Sequence, residues 1–368
     1  MATITAPRTL AGYGLDLSRL GPNWYAAVMG TAIVANGAAA LPLALPGLIG
    51  FGEAVWAISA VALLVLVAGR LVHFTKHRAA AREQLLDNPA TAFFYGCPPM
   101  ALLAVGYGTE VLGSRLIGSQ AALTADLVLW SVGTLYAVVV AFGIPYLMIT
   151  RHRLSPLEAN PTWLLPVVAP MVSAALGPVL VPHLPEGLRP AMLYGCYALF
   201  GASLLATLVL LPVVFAGLVH SKLPALVLTP SLFLVLGPLG QSTTAVNQLA
   251  DAAKGTAPEL ASFAVGFAVL YGVSTIGFAM LWLAVALAAN LRALRAEMPF
   301  AMTWWAFTFP VGTLVTGAAG LARHTGFDGF TGLAAGLYLL LVAAWAVASA
   351  RTLAGLRDGR LLGPVQST

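Results

Sequence analysis

The ninth apolar stretch of the chain carries a face on which Phe309, Thr313, Thr316, Gly320 and Arg323 fall within about 80° at 100° per residue. Below Arg323 that face is small or hydroxylated, with Phe309 as its one bulky member. The seventh stretch has a similar face of Gly237, Gln241, Thr244 and Gln248, flanked by Gly240 and Asn247, and the first stretch offers Thr31 and Asn36. Hydroxyls, amides and backbone dipoles without a fixed charge suit the passage of an ion rather than bond-making chemistry. No Asp, Glu, Lys, Arg or His is expected deep inside any apolar stretch, and His73, His77, His152, His183, His220 and His324 fall at stretch ends or in loops. Intramembrane ionisable groups mark proton relays and ion-coupling sites. Their absence leaves no paired-histidine haem site, no carboxylate shuttle and no acidic cluster for a metal-dependent transfer, so no catalytic residue, metal site or cofactor is expected.

Plainer readings compete with the pore reading. A stripe of small residues serves helix packing as readily as pore lining, and hydroxyls in apolar helices commonly bond to their own backbone. Cys97 and Cys196 both lie in apolar stretches and read as small core residues, not as a disulfide or a ligand pair.

The elements that must position these residues are set by composition. The 368 residues are 60% hydrophobic and 8% charged, with a mean hydropathy of +0.90, whereas soluble domains carry about 25% charged residues. The chain is expected to be an integral membrane protein. A β-barrel is excluded because a stretch such as Val55 to Ala68 shows no alternation. The first twenty residues hold Arg8, Asp16 and Arg19 without a long apolar run, so they are not expected to be a cleaved signal.

Pro22, Pro89, Pro161, Pro224 and Pro299 each open an apolar run, at spacings of 67, 72, 63 and 75 residues. Proline is tolerated in a first helical turn, where its missing N–H has no partner in any case. The pattern predicts five helical hairpins, at about 22–75, 89–150, 161–219, 224–293 and 299–353, within a single membrane domain covering 1–368. The expected fold is all-α, with ten spans at about 23–45, 54–73, 91–113, 125–149, 162–182, 190–219, 225–250, 260–291, 300–322 and 331–352. Fourteen Lys and Arg fall on one face of this arrangement and four on the other, which puts both termini in the cytoplasm. All five proline-led helices then run outward, as parallel repeats about an axis along the membrane normal.

The odd spans carry interior breakers: Gly30, Pro98 and Pro99, Pro166 and Pro170, Pro230 with Gly237 and Pro238, and Pro310. Broken backbone is tolerable at membrane depth only when buried in protein or facing a water-filled cavity. The odd helices are therefore expected inside, enclosing a central pore, with Pro98 and Pro170 among its lining residues. The even helices form an outer ring. The basic residues Arg70, Lys76, Arg78 and Arg82 are expected as a cytoplasmic rim that attracts anions, although positive charge on that face also follows from topology alone. The net charge of +5 is a topology signal, and no nucleic-acid partner is expected.

The segment Gly21-Pro22-Asn23-Trp24-Tyr25-Ala26-Ala27-Val28-Met29-Gly30-Thr31-Ala32-Ile33-Val34-Ala35-Asn36 resembles the opening helix of the tellurite-resistance/dicarboxylate transporter family, and Trp304-Trp305-Ala306-Phe307-Thr308-Phe309-Pro310 resembles its matching ninth helix. That family includes bacterial tellurite-resistance proteins, fungal malate permeases and sulfite efflux pumps, and the slow anion channels of plant guard cells. The resemblance implies five hairpins around a central pore, a homotrimer with a separate pore in each protomer, and a phenylalanine plug at the position of Phe309. Phe307, two residues away on a roughly opposite face, is the alternative should the motif register slip. Both tails are short, so phosphorylation-dependent gating through them is not implied.

The expected function is anion transport through a neutral pore gated by phenylalanine, as a channel or uniporter in the plasma or inner membrane. The alternative is a proton-linked carrier for C4-dicarboxylate such as malate, or a sulfite efflux pump, in which the substrate itself carries the proton. A non-transport role, as an intramembrane enzyme or sensor, has no catalytic constellation to support it. The expected partners are a small inorganic or organic anion, membrane lipid and further copies of the chain. The lack of a deep arginine fork tilts the expectation away from dicarboxylates.

Overall fold

A computed structural model describes residues 16–362. Arg8 and the two ends of the expected 1–368 domain lie outside them. Among the described residues there is no β-strand, and nine helices are long and apolar enough to cross a membrane. The helix that completes the first hairpin is shorter, Tyr25–Ala40, preceded by a 3-10 turn at Pro22–Trp24. It ends at Ala40 rather than near residue 45, because Leu41 precedes Pro42 and leaves the helical region at ψ 129°.

The inner helices are Tyr25–Ala40, Pro89–Ile117, Pro161–His183, Leu226–Thr256 and Met302–Thr325. The outer helices are Leu48–Lys76, Ser119–Thr150, Glu186–Ser221, Pro258–Arg295 and Asp328–Arg357. The most apolar part of the second to fifth inner helices is 72%, 94%, 78% and 89% buried, against 28%, 22%, 22%, 39% and 28% for the five outer helices, which separates the two rings. Every inner helix touches the inner helices before and after it, and the fifth touches the first, so the ring is closed. Each outer helix packs on its own inner helix and on the next one along, with the fifth outer helix returning to the first inner helix. All five hairpins are thus placed alike, as parallel repeats require.

Proline explains how the inner helices are built. Their lower turns are 3-10: Pro22–Trp24, Phe93–Gly96, Pro161–Leu164, Leu226–Val235 and Met302–Phe307. In four of them α-helix begins just before a proline, at Cys97, Leu165, Leu236 and Phe309. A proline there cannot donate to the carbonyl four residues back, so the preceding turn closes with the tighter bond. Outer-helix side chains take up carbonyls along these broken stretches. Ser203 Oγ donates to Val167 O at 2.6 Å, Trp282 Nε1 to Leu232 O at 2.9 Å, and Asn290 Nδ2 to Thr229 O at 3.3 Å. Burial in protein, one of the two ways of tolerating broken backbone, therefore accounts for much of it.

Lipid tails are as apolar as leucine, so close packing rather than water exclusion holds the rings together. Gly30 shows how close the approach is, since a Cβ there would overlap Thr308 Oγ1 and come within 2.8 Å of Trp305 on the fifth inner helix. The first and last described residues meet at the face where the inner helices begin, which is also the basic face: Asp16 N–H donates to Leu362 O at 2.8 Å. Ser18 Oγ donates to Asp16 Oδ1 at 2.6 Å and holds that carboxyl below its ordinary range.

The fourth span starts earlier than expected, at Ser119 rather than near 125. Asp126 therefore sits two turns inside the second outer helix. It is 2% exposed, beside Gly106, with one carboxylate oxygen unpartnered. This corrects the expectation that no acidic residue is buried in a span.

Candidate functional site

Three cavities follow one another along the ring, and each is walled by all five inner helices. Nearest the basic face lies a void of about 20 Å³ bounded by Ala26 and Met29, Phe94 and Cys97, Thr162 and Leu165, Ser231 and Leu234, and Met302, Thr303, Trp305 and Ala306. The next, also about 20 Å³, is bounded by Met29, Met100, Leu164, Leu165, Val168, Leu234, Gly237, Phe309 and Pro310. The third is a vestibule of about 430 Å³ that includes Ile33 and Asn36, Tyr107, Leu176 and Val179, Gln241 to Asp251, and Thr316 and Arg323. Residue numbers advance along every inner helix from one cavity to the next. The three voids therefore mark a single axial path.

Met29, Leu165 and Leu234 wall both small voids and separate them. A void of about 20 Å³ has room for roughly one water molecule, so the lower half of the path is closed to any polyatomic ion. Phe309 is 3% exposed and stands at the first residue of the α-helical part of the fifth inner helix, against the upper small void. Phe307 packs elsewhere, edge-on to Phe233 at 4.9 Å and to Trp304 at 5.9 Å, and borders none of the three cavities.

The polar residues divide in the same way. Asn36, Gln241, Thr244 and Thr316 border the vestibule, and Gly237 borders the void beside Phe309. Thr31 does not face the path: it donates to Ala27 O at 2.8 Å and accepts from Trp345 Nε1 of the fifth outer helix at 3.1 Å. Pro98 is buried but borders none of the cavities, and Pro170 lies on a membrane-side groove with Val138 and Phe142. Thr313 is fully buried, donating to Pro310 O at 2.7 Å against the fourth inner helix at Gly240. Gly320 lies against Asn247, where a Cβ would approach to 2.8 Å. These five residues, expected to line the pore, border none of the three cavities. The faces that position Thr313 and Gly320 are packing seams, the ordinary use of small residues between membrane helices.

Arg70, Lys76, Arg78 and Arg82 border none of the axial cavities. Arg70 is 4% exposed and donates to Leu20 O, to Gln84 Oε1 at 3.1 Å and to Tyr95 OH at 3.2 Å.

Charge gathers instead at the mouth of the vestibule. Asp251 accepts from Lys254 Nζ at 2.7 Å, lies 2.9 Å from His324 Nε2, and is 3.8 Å from Arg323 Nη2. The face of Gly237, Gln241, Thr244 and Gln248 continues to Asp251 at helical spacing, so extending it by one turn would have located this group. Met29, Leu165 and Leu234 carried no such signal, being ordinary core types in an apolar chain.

The two small cavities have no charged residue around them, and the charged groups gather at the mouth of the vestibule. The comparisons agree with a transport fold. A family model described as voltage-dependent anion channel, SLAC1, matches residues 19–353. The sulfite efflux pump SSU1 of Trichophyton rubrum is 26% identical over 346 residues, covering 92% of this chain and 91% of the relative. The SSU1 of Arthroderma otae has the same identity and coverage. An uncharacterized transporter of Methanocaldococcus jannaschii is 25% identical over 334 residues, 90% of this chain and 92% of the relative. With the family model spanning nearly its whole length, the chain belongs to the SLAC1 family of membrane anion transporters.

Proposed function

We propose that the protein passes small anions along the axial path and that Phe309 is the element that closes it. The observation carrying this reading is that all five inner helices wall the same three successive cavities, with Phe309 beside the narrow part and no charged residue bordering either small void. A neutral path can release an ion as well as admit it, since conduction needs weak rather than tight binding. The five hairpins act as one membrane domain, in the plasma or inner membrane, with both termini cytoplasmic and the vestibule facing out. The working unit is a homotrimer with one path per protomer.

The test is anion current in oocytes or planar bilayers. Phe309→Ala is expected to enlarge it, and unchanged current from protein that reaches the membrane intact would remove Phe309 as the closing element. A second reading, coupled export of sulfite, is favoured by the similarity to fungal sulfite efflux pumps over nine-tenths of both chains. Proteoliposome flux that requires an imposed pH gradient, with no current under voltage clamp, would select it over the channel. A panel of chloride, nitrate, sulfite and malate identifies the ion.

A further inference from the structure

One of the four basic residues away from the axial path, Arg82, stands beside another cavity. A groove of about 530 Å³ opens on the membrane side of the molecule near the basic face. It lies between the short helix Arg78–Leu86 and the Tyr136–Leu147 part of the second outer helix. Its walls include Leu85, Leu86, Val139, Val140, Ile144 and Leu147, and Arg82 stands among them as its one charged residue. Val139 is 57% exposed, so the groove opens toward the lipid tails.

The short helix is amphipathic in a way that fits this place. Ala81, Arg82 and Leu85 line the groove, and Arg78 precedes Arg82 by four residues on the same side of the helix. Both arginines are exposed, and among the described residues neither is in an ion pair. The acidic groups nearby are accounted for. Asp87 is held by Arg151 at 2.7 Å, and Glu83 lies about 100° further round the helix from Arg82. The unpaired Arg82 guanidinium thus sits where an apolar groove meets the membrane surface, with the unpaired Arg78 one helical turn before it.

We propose that this groove is a binding site for an anionic phospholipid, with an acyl chain lying along the apolar walls and the phosphate held by Arg82 and Arg78. The guanidinium fork matches phosphate oxygens bidentately. A zwitterionic headgroup brings its own cation to compete with the two arginines, whereas an anionic one does not. The site is separate from the axial path, so its test does not depend on the transport reading.

The test is native mass spectrometry of the full-length protein with phosphatidylglycerol and phosphatidylcholine of matched chains added in equal amount. The wild type is expected to retain phosphatidylglycerol in preference. Replacing both arginines, Arg78→Gln with Arg82→Gln, is expected to weaken that retention about 30-fold, from about fivefold per surface cation. Gly143→Leu supplies an independent check: a Cβ at Gly143 meets nothing within 4 Å, and the residue borders the groove, so the leucine fills the chain site without a clash. It is expected to lower retention of both lipids at unchanged thermal stability. Phosphatidylglycerol retention untouched by both changes would overturn the proposal. So would a shift of oligomeric state in Gly143→Leu with lipid retention intact, which would assign the groove to a second copy of the chain.

Discussion

Phe309 and Gly237 wall the same void of about 20 Å³ from neighbouring inner helices, and a Cβ placed on Gly237 would meet no heavy atom within 4 Å. The space beside the phenylalanine is bounded on one side by the lack of a side chain. Closure can therefore be altered from either side of the void without disturbing a packing seam.

Removing the ring in Phe309→Ala opens the void, and Gly237→Leu added to it puts bulk back from the opposite wall. The single change is expected to raise anion current at least about tenfold, a barrier difference of about 1.4 kcal/mol. The double variant is expected to return toward the wild-type current. Current per surface protein in oocytes is the measurement, and a double variant that conducts as freely as Phe309→Ala would place the restriction elsewhere on the path.

The two rings were legible in the sequence because proline cannot be hidden: Pro98, Pro166, Pro238 and Pro310 each sit in the first turn of an α-helical segment whose preceding turn is 3-10. Phe309 stands out in the sequence because it interrupts a small face, and in the structure it borders the upper small void. The orientation of that face was read less well. Thr313 and Thr316 lie within one turn of each other, yet Thr313 seals the seam with the fourth inner helix while Thr316 borders the vestibule. Helical spacing defines a stripe but not which edge meets a neighbour and which meets the path. A hydroxyl that accepts a tryptophan N–H from an outer helix, as Thr31 does, has the same spacing as one that lines a pore. The arginines beside the phospholipid groove carried a charge signal, but charge on that face also follows from topology.

Thr31 gives a prediction of its own. Thr31→Val removes the acceptor of Trp345 Nε1 and leaves the N–H of a half-buried indole unpaired within the membrane-spanning part of the fold. The loss is expected to cost about 1–3 kcal/mol, seen as a lower Tm in detergent, with anion current per folded protein unchanged. A selective change of conductance at unaltered Tm would return Thr31 to the path.

The seam between the fourth and fifth inner helices is tight enough to test with one methyl group. A Cβ at Gly240 would come within 2.6 Å of Leu314 N and the Thr313 carbonyl carbon, both backbone atoms that move only with the helix. Gly240→Ala is expected to destabilise by about 1–3 kcal/mol. Gly277→Ala on the fourth outer helix, where a Cβ meets nothing within 4 Å, serves as the control and is expected to be neutral or slightly stabilising through helix propensity. Thermal melts of the purified variants separate the two, and equal behaviour would mean that the seam yields.

The vestibule mouth predicts opposite effects from two neighbours. Arg323 borders the vestibule and is 41% exposed, and its charge is offset by Asp251 at 3.8 Å, which Lys254 and His324 also share. Arg323→Gln removes a positive charge from the route of an approaching anion and is expected to lower flux several-fold at low ionic strength. Asp251→Asn leaves the cations uncompensated and is expected to raise it. Both effects act through the field over the mouth rather than through a fitted contact, so they should fade as salt rises and the Debye length falls to about 8 Å at 0.15 M and 3 Å at 1 M. Flux measured across that salt range in proteoliposomes decides the matter. Effects of the same sign, or effects that persist at 1 M salt, would mean that Arg323 and Asp251 hold the fold of the mouth together instead of setting its potential.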